Sequence, residues 1–169
     1  VVATNPLYSG REIEHQMNDS GVEVMLVMSN FYRTIKQVQP KTRIRQLIVT
    51  NIKEALPPVL GFLFGLTQEK KGGFRVELED GDIWLPDLLE KHARDSRPDL
   101  DISSQDTALF QYSGGTTGVP KAAIGLHRNL VSNSIQMYHY VPDLVDGDEV
   151  FLMAIPLFHV YGMVAGMCW

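Results

Sequence analysis

Ten consecutive residues, Tyr112-Ser113-Gly114-Gly115-Thr116-Thr117-Gly118-Val119-Pro120-Lys121, concentrate the groups best suited to chemistry in this 169-residue chain. Gly114, Gly115 and Gly118 let the backbone approach a ligand closely and adopt the positive φ that side chains resist. Successive amides in such a turn converge on an anion. Ser113, Thr116 and Thr117 add hydroxyl donors, and Lys121 adds a positive charge. At about 4 Å and an effective dielectric near 20, one such charge contributes roughly 4 kcal/mol towards a phosphate oxygen. That is large enough to orient a polyphosphate, so the segment reads as a phosphate-binding loop in preference to a Gly/Ser/Thr surface turn. It differs from the loop of GTPases and many ATPases, which needs four residues between its glycines and then Lys-Ser/Thr opening a helix. Here Gly115, Thr116 and Thr117 alone separate Gly114 from Gly118, and Pro120 precedes the lysine. Nor does any Gly-x-Gly-x-x-Gly open a helix, which argues against a dinucleotide fingerprint.

The remaining composition narrows the function class. Fifteen basic against 20 acidic residues leave a net charge of −5, which argues against a general nucleic-acid binder but permits a local cationic site. With 44% hydrophobic residues there is ample material for a core. A single cysteine, Cys168, leaves no internal disulfide framework and no cysteine-rich zinc site. A cytoplasmic, reducing setting is expected, with peripheral membrane contact as an alternative. The chain starts at Val1 inside a strand-like run and stops at Trp169 inside an apolar one, so a longer parent protein is expected.

The elements that must position the loop follow from pattern. Residues 1–5 form a β-branched run stopped by Asn5-Pro6. Ser9 and Glu12 make a capping-box pair, Ile13 and Met17 share a helix face, and Gly21 is a natural stop. Residues 22–28 read as a strand covered on both faces. Ser29 reads as the cap of a helix with Phe31, Ile35 and Val38 inward, ended by Pro40, and residues 46–50 as another strand. This alternation over 1–51 predicts a parallel sheet with covering helices. Residues 52–106 form an irregular connection. Within it, the apolar run 57–66 is expected to be buried or to contact another subunit, with a membrane-surface patch as the alternative. Ten residues are too few to span a bilayer. Residues 77–82 make an acidic turn, and a helix is expected over 85–94, with Pro86 in its first turn. Residues 95–106 look like a solvated linker. In the third stretch, 107–169, strands are expected at 107–112 and 122–126, then a helix capped by Asn129 and running to about Tyr140. A last strand is expected over 150–155, closed by Pro156. Residues 150–169 hold no Asp, Glu, Lys or Arg, but Pro156, His159, Gly162 and Gly166 favour a strand, turn and helix start over a membrane span.

These motifs resemble the AMP-forming adenylate ligases: acyl-CoA synthetases, luciferases and peptide-synthetase adenylation domains. The ten-residue loop resembles their phosphate-binding signature. Asn5-Pro6-Leu7-Tyr8 and Arg11-Glu12 to Ser20-Gly21 resemble the upstream segment of fatty-acyl-CoA synthetases, the subgroup that looks nearest. His127-Arg128-Asn129-Leu130 resembles the helix start after the loop, and Ile155-Pro156-Leu157-Phe158-His159-Val160-Tyr161-Gly162 the motif beside the acyl pocket. Ala122 departs from the pattern, standing where glycine is usual.

The resemblance implies an α/β fold, three-layer αβα with a mostly parallel sheet, forming part of the N-terminal domain of such a ligase. It implies ATP, coenzyme A and a fatty or other carboxylic acid as substrates, and magnesium as cofactor. Ser113, Gly114, Gly115, Thr116, Thr117, Gly118 and Lys121 would hold the phosphates, with Ser113 the hydroxyl near the metal. Lys121, Thr117 and His159 would take part in catalysis, His159 near the acyl carboxylate and α-phosphate. The adenine, ribose and C-terminal lysine motifs would lie beyond Trp169. Other classes stay open: a non-catalytic nucleotide-binding homologue, another adenylate-forming enzyme, or an unrelated phosphate-binding protein such as a kinase. No nucleic-acid partner is expected, and self-association stays open.

Overall fold

The computed structural model describes residues 1–113, 120–141, 145 and 147–167. Contacts divide the chain into two compact units, Tyr8–Pro98 and a second made of Val1–Leu7 with Asp99–Trp169.

In the first unit, helix α1 (Gly10–Ser20) starts where Ser9 and Glu12 satisfy each other's backbone. The Glu12 amide donates to Ser9 Oγ at 3.4 Å, while the Ser9 amide and hydroxyl donate to the Glu12 carboxylate at 2.8 and 2.7 Å. Those two donors hold the Glu12 carboxyl below its usual range. At the other end Gly21 takes a left-handed φ of 68° and donates to the Met17 carbonyl, as a helix-terminating glycine does. Strands β1 (Val24–Met28), β2 (Gln46–Thr50) and β3 (Ile83–Trp84) form a parallel sheet in the order β1-β2-β3. Central β2 buries Leu47 and Val49 completely, and helix α2 (Ser29–Val38) lays Tyr32, Ile35 and Val38 against the same core.

Two local expectations change. β1 is covered on one face only: Val27 is buried, but Val24 and Leu26, which share the opposite face, are exposed because no described element of this unit lies over them. Ser29 is the first residue inside α2, not its cap; Met28 precedes it without a side-chain cap bond, and the buried Ser29 hydroxyl has no partner among the described residues. The chain enters α2 directly from β1, so the serine is already within the first turn and packed into the interior.

The acidic turn carries more structure than its composition suggests. Asp82 Oδ2 accepts hydrogen bonds from the Tyr32 hydroxyl at 2.7 Å and Lys36 Nζ at 3.1 Å, and Oδ1 accepts from the Leu47 amide at 3.0 Å. The Tyr32 hydroxyl in turn accepts from the Glu79 amide, and Lys36 also pairs with Glu79. One carboxylate therefore ties α2, β2 and the turn that leads into β3. Burial pushes the Asp82 carboxyl up, but the Tyr32, Leu47 and Lys36 donors outweigh it and hold it below the usual range. After β3, helix α4 runs from Leu85 to Lys91 with its proline in the first turn, as expected.

The run 57–66 forms helix α3 (Pro58–Thr67), preceded by a 3-10 turn at Ile52–Ala55. It is not buried within the chain: its large apolar residues are mostly exposed. The inward side is occupied by Gly61, where a Cβ would come within 3.3 Å of the Lys53 carbonyl, and by Phe64, which meets the Phe74 ring edge-on at 5.3 Å.

Asp82→Asn leaves the shape but removes the charge that its donors are arranged to meet, and is expected to cost about 2 kcal/mol of stability. Because the folded carboxyl titrates below its unfolded value, that contribution is present above about pH 4 and lost as pH falls through the folded value. Urea titrations at a series of pH values should show the wild-type advantage over Asp82→Asn shrinking on acidification and constant near neutrality.

Candidate functional site

In the second unit, β4 (Thr107–Ser113) and β5 (Lys121–Leu126) form an antiparallel hairpin. Both strands stand where the sequence places them, each one residue longer towards the loop. Val2 adds a parallel bridge to Phe110, so the N-terminal run is strand-like in its pairing. The register is Tyr112↔Ala122 and Ser113↔Lys121. Directly opposed residues share a face of the sheet, so Ser113 and Lys121 project on one side and Tyr112 and Ala122 on the other. Tyr112 is buried while Ser113 and Lys121 are exposed, which gives the hairpin an anchored face and an open face at its tip. Leu109 is buried opposite Gly125, where a Cβ would meet its side chain at 3.0 Å.

Two of the expected phosphate-loop groups are therefore brought together by backbone pairing. The Ser113 hydroxyl lies 3.5 Å from the Lys121 carbonyl, and the Lys121 ammonium forms no ion pair among the described residues. A cation without a carboxylate partner is available to an anionic ligand. Gly114, Gly115, Thr116, Thr117 and Gly118, the loop residues between these two, lie outside the described residues.

Helix α5 (His127–Tyr140) follows β5 without a break. Asn129 does not cap it from outside as expected; it is the third helical residue, and its Oδ1 reaches back to accept from the Leu126 amide at 2.9 Å. The orphan amides of His127 and Arg128 donate to the Asp106 and Ser104 carbonyls, so the end of the linker holds the helix start. Sequence reasoning missed this anchor, because carbonyl acceptors carry no residue-type signal.

The strand expected over 150–155 is absent: those residues form no ladder, because no described strand lies beside them to take their hydrogen bonds. The turn and helix are present, as α6 (Val160–Met167), but Gly162 and Gly166 lie inside that helix and do not break it. At Gly162 a Cβ would fall 2.4 Å from the Pro156 carbonyl, so the glycine permits the first turn to fold back on Pro156. His159 stands immediately before α6 and is exposed. Its Nδ1 accepts from the Tyr161 amide at 3.2 Å, an N-cap bond made by an imidazole. With Nδ1 used as acceptor, the neutral ring carries its proton on Nε2. No hydrogen bond or ion pair joins His159 to Ser113 or Lys121 among the described residues.

Among the described residues no group of three His, Cys, Asp or Glu side chains could hold a metal ion, and no helix is long and apolar enough to cross a membrane. At the hairpin tip Ser113 offers one exposed hydroxyl oxygen and Lys121 one exposed ammonium.

A family pattern described as AMP-binding enzyme matches residues 1–169. The chain belongs to that family. It is 39% identical over 166 residues to a long-chain-fatty-acid–CoA ligase of Yersinia pestis, covering 96% of this chain and 29% of the relative. To the long-chain-fatty-acid–CoA ligase of Bacillus subtilis it is 30% identical over 169 residues, covering 99% of this chain and 30% of that one. Among solved structures, a long-chain-fatty-acid–CoA ligase from Archaeoglobus fulgidus superposes with a TM-score of 0.67 at 25% identity, covering 99% of this chain and 27% of that chain. A red-emitting luciferase from Phrixothrix hirtus superposes at 0.72, with 19% identity and coverage of 99% and 29%. The fold is thus the α/β fold of adenylate-forming ligases, and this AMP-binding family chain spans under a third of the length of the relatives it matches.

Since backbone pairing, not side-chain contact, sets Ser113 against Lys121, Ser113→Ala and Lys121→Ala are each expected to change stability by less than about 0.5 kcal/mol. Gly125→Val, which drives a side chain into Leu109, is expected to cost about 1–3 kcal/mol. Thermal or urea unfolding of the three variants checks the contrast.

Proposed function

We propose that this chain is part of an ATP-dependent fatty-acid–CoA ligase. A carboxylate attacks the α-phosphate of ATP and expels pyrophosphate; the thiolate of coenzyme A then attacks the acyl carbonyl and expels AMP. The observation that carries the reading is the exposed pair Ser113–Lys121, set face to face by strand register at the mouth of a Gly/Thr loop, in a chain whose relatives are long-chain-fatty-acid–CoA ligases.

Transfer at phosphorus depends mainly on positioning and charge stabilisation. Lys121 meets the charge that develops on departing pyrophosphate, and the amides and hydroxyls of Ser113 to Gly118 hold the β- and γ-phosphates. Magnesium, when bound, would supply positive charge that neutralises the phosphates. Ser113 is the side chain of this chain that would contact it. His159, with Nδ1 held by the helix, presents Nε2–H as a donor to the acyl carboxylate or α-phosphate. The adenine, ribose and C-terminal lysine groups belong to the part of the ligase outside these 169 residues. The single cysteine accords with a cytoplasmic setting.

In the full-length ligase, Lys121→Ala and Thr117→Val should lower adenylation of every acid tested by a similar factor, about 100-fold or more, with chain-length preference unchanged. Pyrophosphate release across a panel of fatty acids measures this; a change in preference with adenylation spared would assign the loop to another ligand. The isolated 169 residues should not reach an ordinary enzymatic rate of roughly 1 per second.

His159 needs a separate comparison, since it also caps α6. His159→Asn keeps a good cap and His159→Ala loses one, at a cost of about 1 kcal/mol. If the imidazole touches substrate, both variants lose adenylation although Asn restores stability; recovery of activity in His159→Asn would leave the residue only its capping role.

A further inference from the structure

The joint around Asp82 fixes the two walls of an open cleft of about 930 Å³ in the first unit, a volume within the roughly 300–1,000 Å³ of small-molecule sites. One wall is α2, where Arg33, Lys36 and Gln37 fall at i, i+3 and i+4 and so share a helix face. The other is the segment 75–79, from which Arg75, Glu77 and Glu79 border the cleft while Val76 packs against the core. Lys36 pairs with Glu79 and with Asp82, each at 3.1 Å, and the Glu79 amide donates to the Tyr32 hydroxyl. The walls are therefore tied to each other independently of any ligand.

That bonding sorts the charges of the cleft into two sets. Lys36 and Glu79 are committed to the joint. Arg33, Arg75 and Glu77 are exposed and form no ion pair among the described residues. Two uncommitted guanidinium groups thus border one space in a chain of net charge −5. Each presents a planar fork of donors that matches phosphate bidentately. A carboxylate carries one charge and leaves one arginine unmet, whereas a phosphomonoester carries about −1.5 to −2 near neutrality. Glu77 repels a ligand that is anionic throughout, and its two oxygens accept from hydroxyl groups. The complementary ligand has its negative charge at one end and hydroxyls at the other.

We propose that this cleft binds a small sugar phosphate, with Arg33 and Arg75 on the phosphate and Glu77 on the sugar hydroxyls. The site draws on no residue of the Ser113–Lys121 hairpin and does not depend on the adenylation chemistry.

The test is calorimetric titration of the full-length polypeptide with ribose 5-phosphate, and separately with inorganic phosphate and with ribose. Ribose 5-phosphate is expected to bind in the cleft, inorganic phosphate more weakly, and ribose not at all. Arg33→Gln and Arg75→Gln should each weaken ribose 5-phosphate about tenfold or more. Glu77→Gln should weaken ribose 5-phosphate about threefold or more and leave inorganic phosphate no weaker. All three variants should keep the wild-type thermal midpoint and rate of pyrophosphate release, since none of these side chains holds an internal ion pair. Binding in the Lys121→Ala polypeptide should match the wild type. The proposal is overturned by absence of saturable binding, by ribose binding as tightly as its phosphate, or by binding that survives both arginine changes. Loss of binding in Lys121→Ala would place the sugar phosphate at the loop and overturn it too. A lowered midpoint in either arginine variant does the same, because the guanidinium would then be covered by the rest of the polypeptide.

Discussion

A strand is a stable element only where a neighbour takes its backbone donors and acceptors, and that constraint decides which parts of this chain become ordered sheet. β2 has neighbours on both edges and buries Leu47 and Val49 completely; β1 has one, and leaves Val24 and Leu26 exposed. β4 and β5 satisfy each other across the hairpin. Residues 150–155 are as apolar as any of these strands yet form no ladder, since composition cannot substitute for a partner. Helices escape the constraint because their bonds are internal, so α6 forms just beyond a segment that does not become a strand.

Within Tyr8–Pro98 the sheet alone does not hold the long connection between β2 and β3. Asp82 adds to its hold by collecting donors from α2 and from the backbone of β2 next to a short parallel strand, while Asn51 bonds Phe74 and Glu69 further along and Val76 and Leu78 pack on the core. A two-residue strand contributes few ladder bonds, and a charge-assisted contact is worth roughly twice a neutral one. The acidic turn, which by composition belongs in solvent, is thereby a structural joint. The Tyr32 hydroxyl both donates to Asp82 and accepts from the Glu79 amide, so loss of either partner leaves a half-satisfied group in the interior.

The same economy of backbone geometry builds the site. Ser113 and Lys121 come together because antiparallel register opposes them, while Tyr112 on the other face fixes the hairpin to its unit. Ser113 and Lys121 thus sit at the paired ends of the two strands, exposed on one face. His159 is held differently, as the cap of α6, where its Nδ1 accepts from the Tyr161 amide.

The amino-acid sequence by itself determined what neighbours along the chain can satisfy. Ser9 with Glu12 sets the start of α1 and Gly21 its end, residues 46–50 formed the strand their pattern indicated, and Ser113 and Lys121 end the two strands expected on either side of the loop. Family membership was legible for the same reason, since its motifs are contiguous. Only the tertiary structure decided which faces were covered, and against what. Val24, Leu26 and most of α3 are apolar in sequence but exposed in the fold, and Ser29, read as a cap, is buried inside α2. Asp82 has partners up to 50 positions away, and the amide acceptors that anchor α5 are backbone carbonyls of the linker. Burial and long-range pairing depend on which segments meet in space, a property that no window along the chain contains.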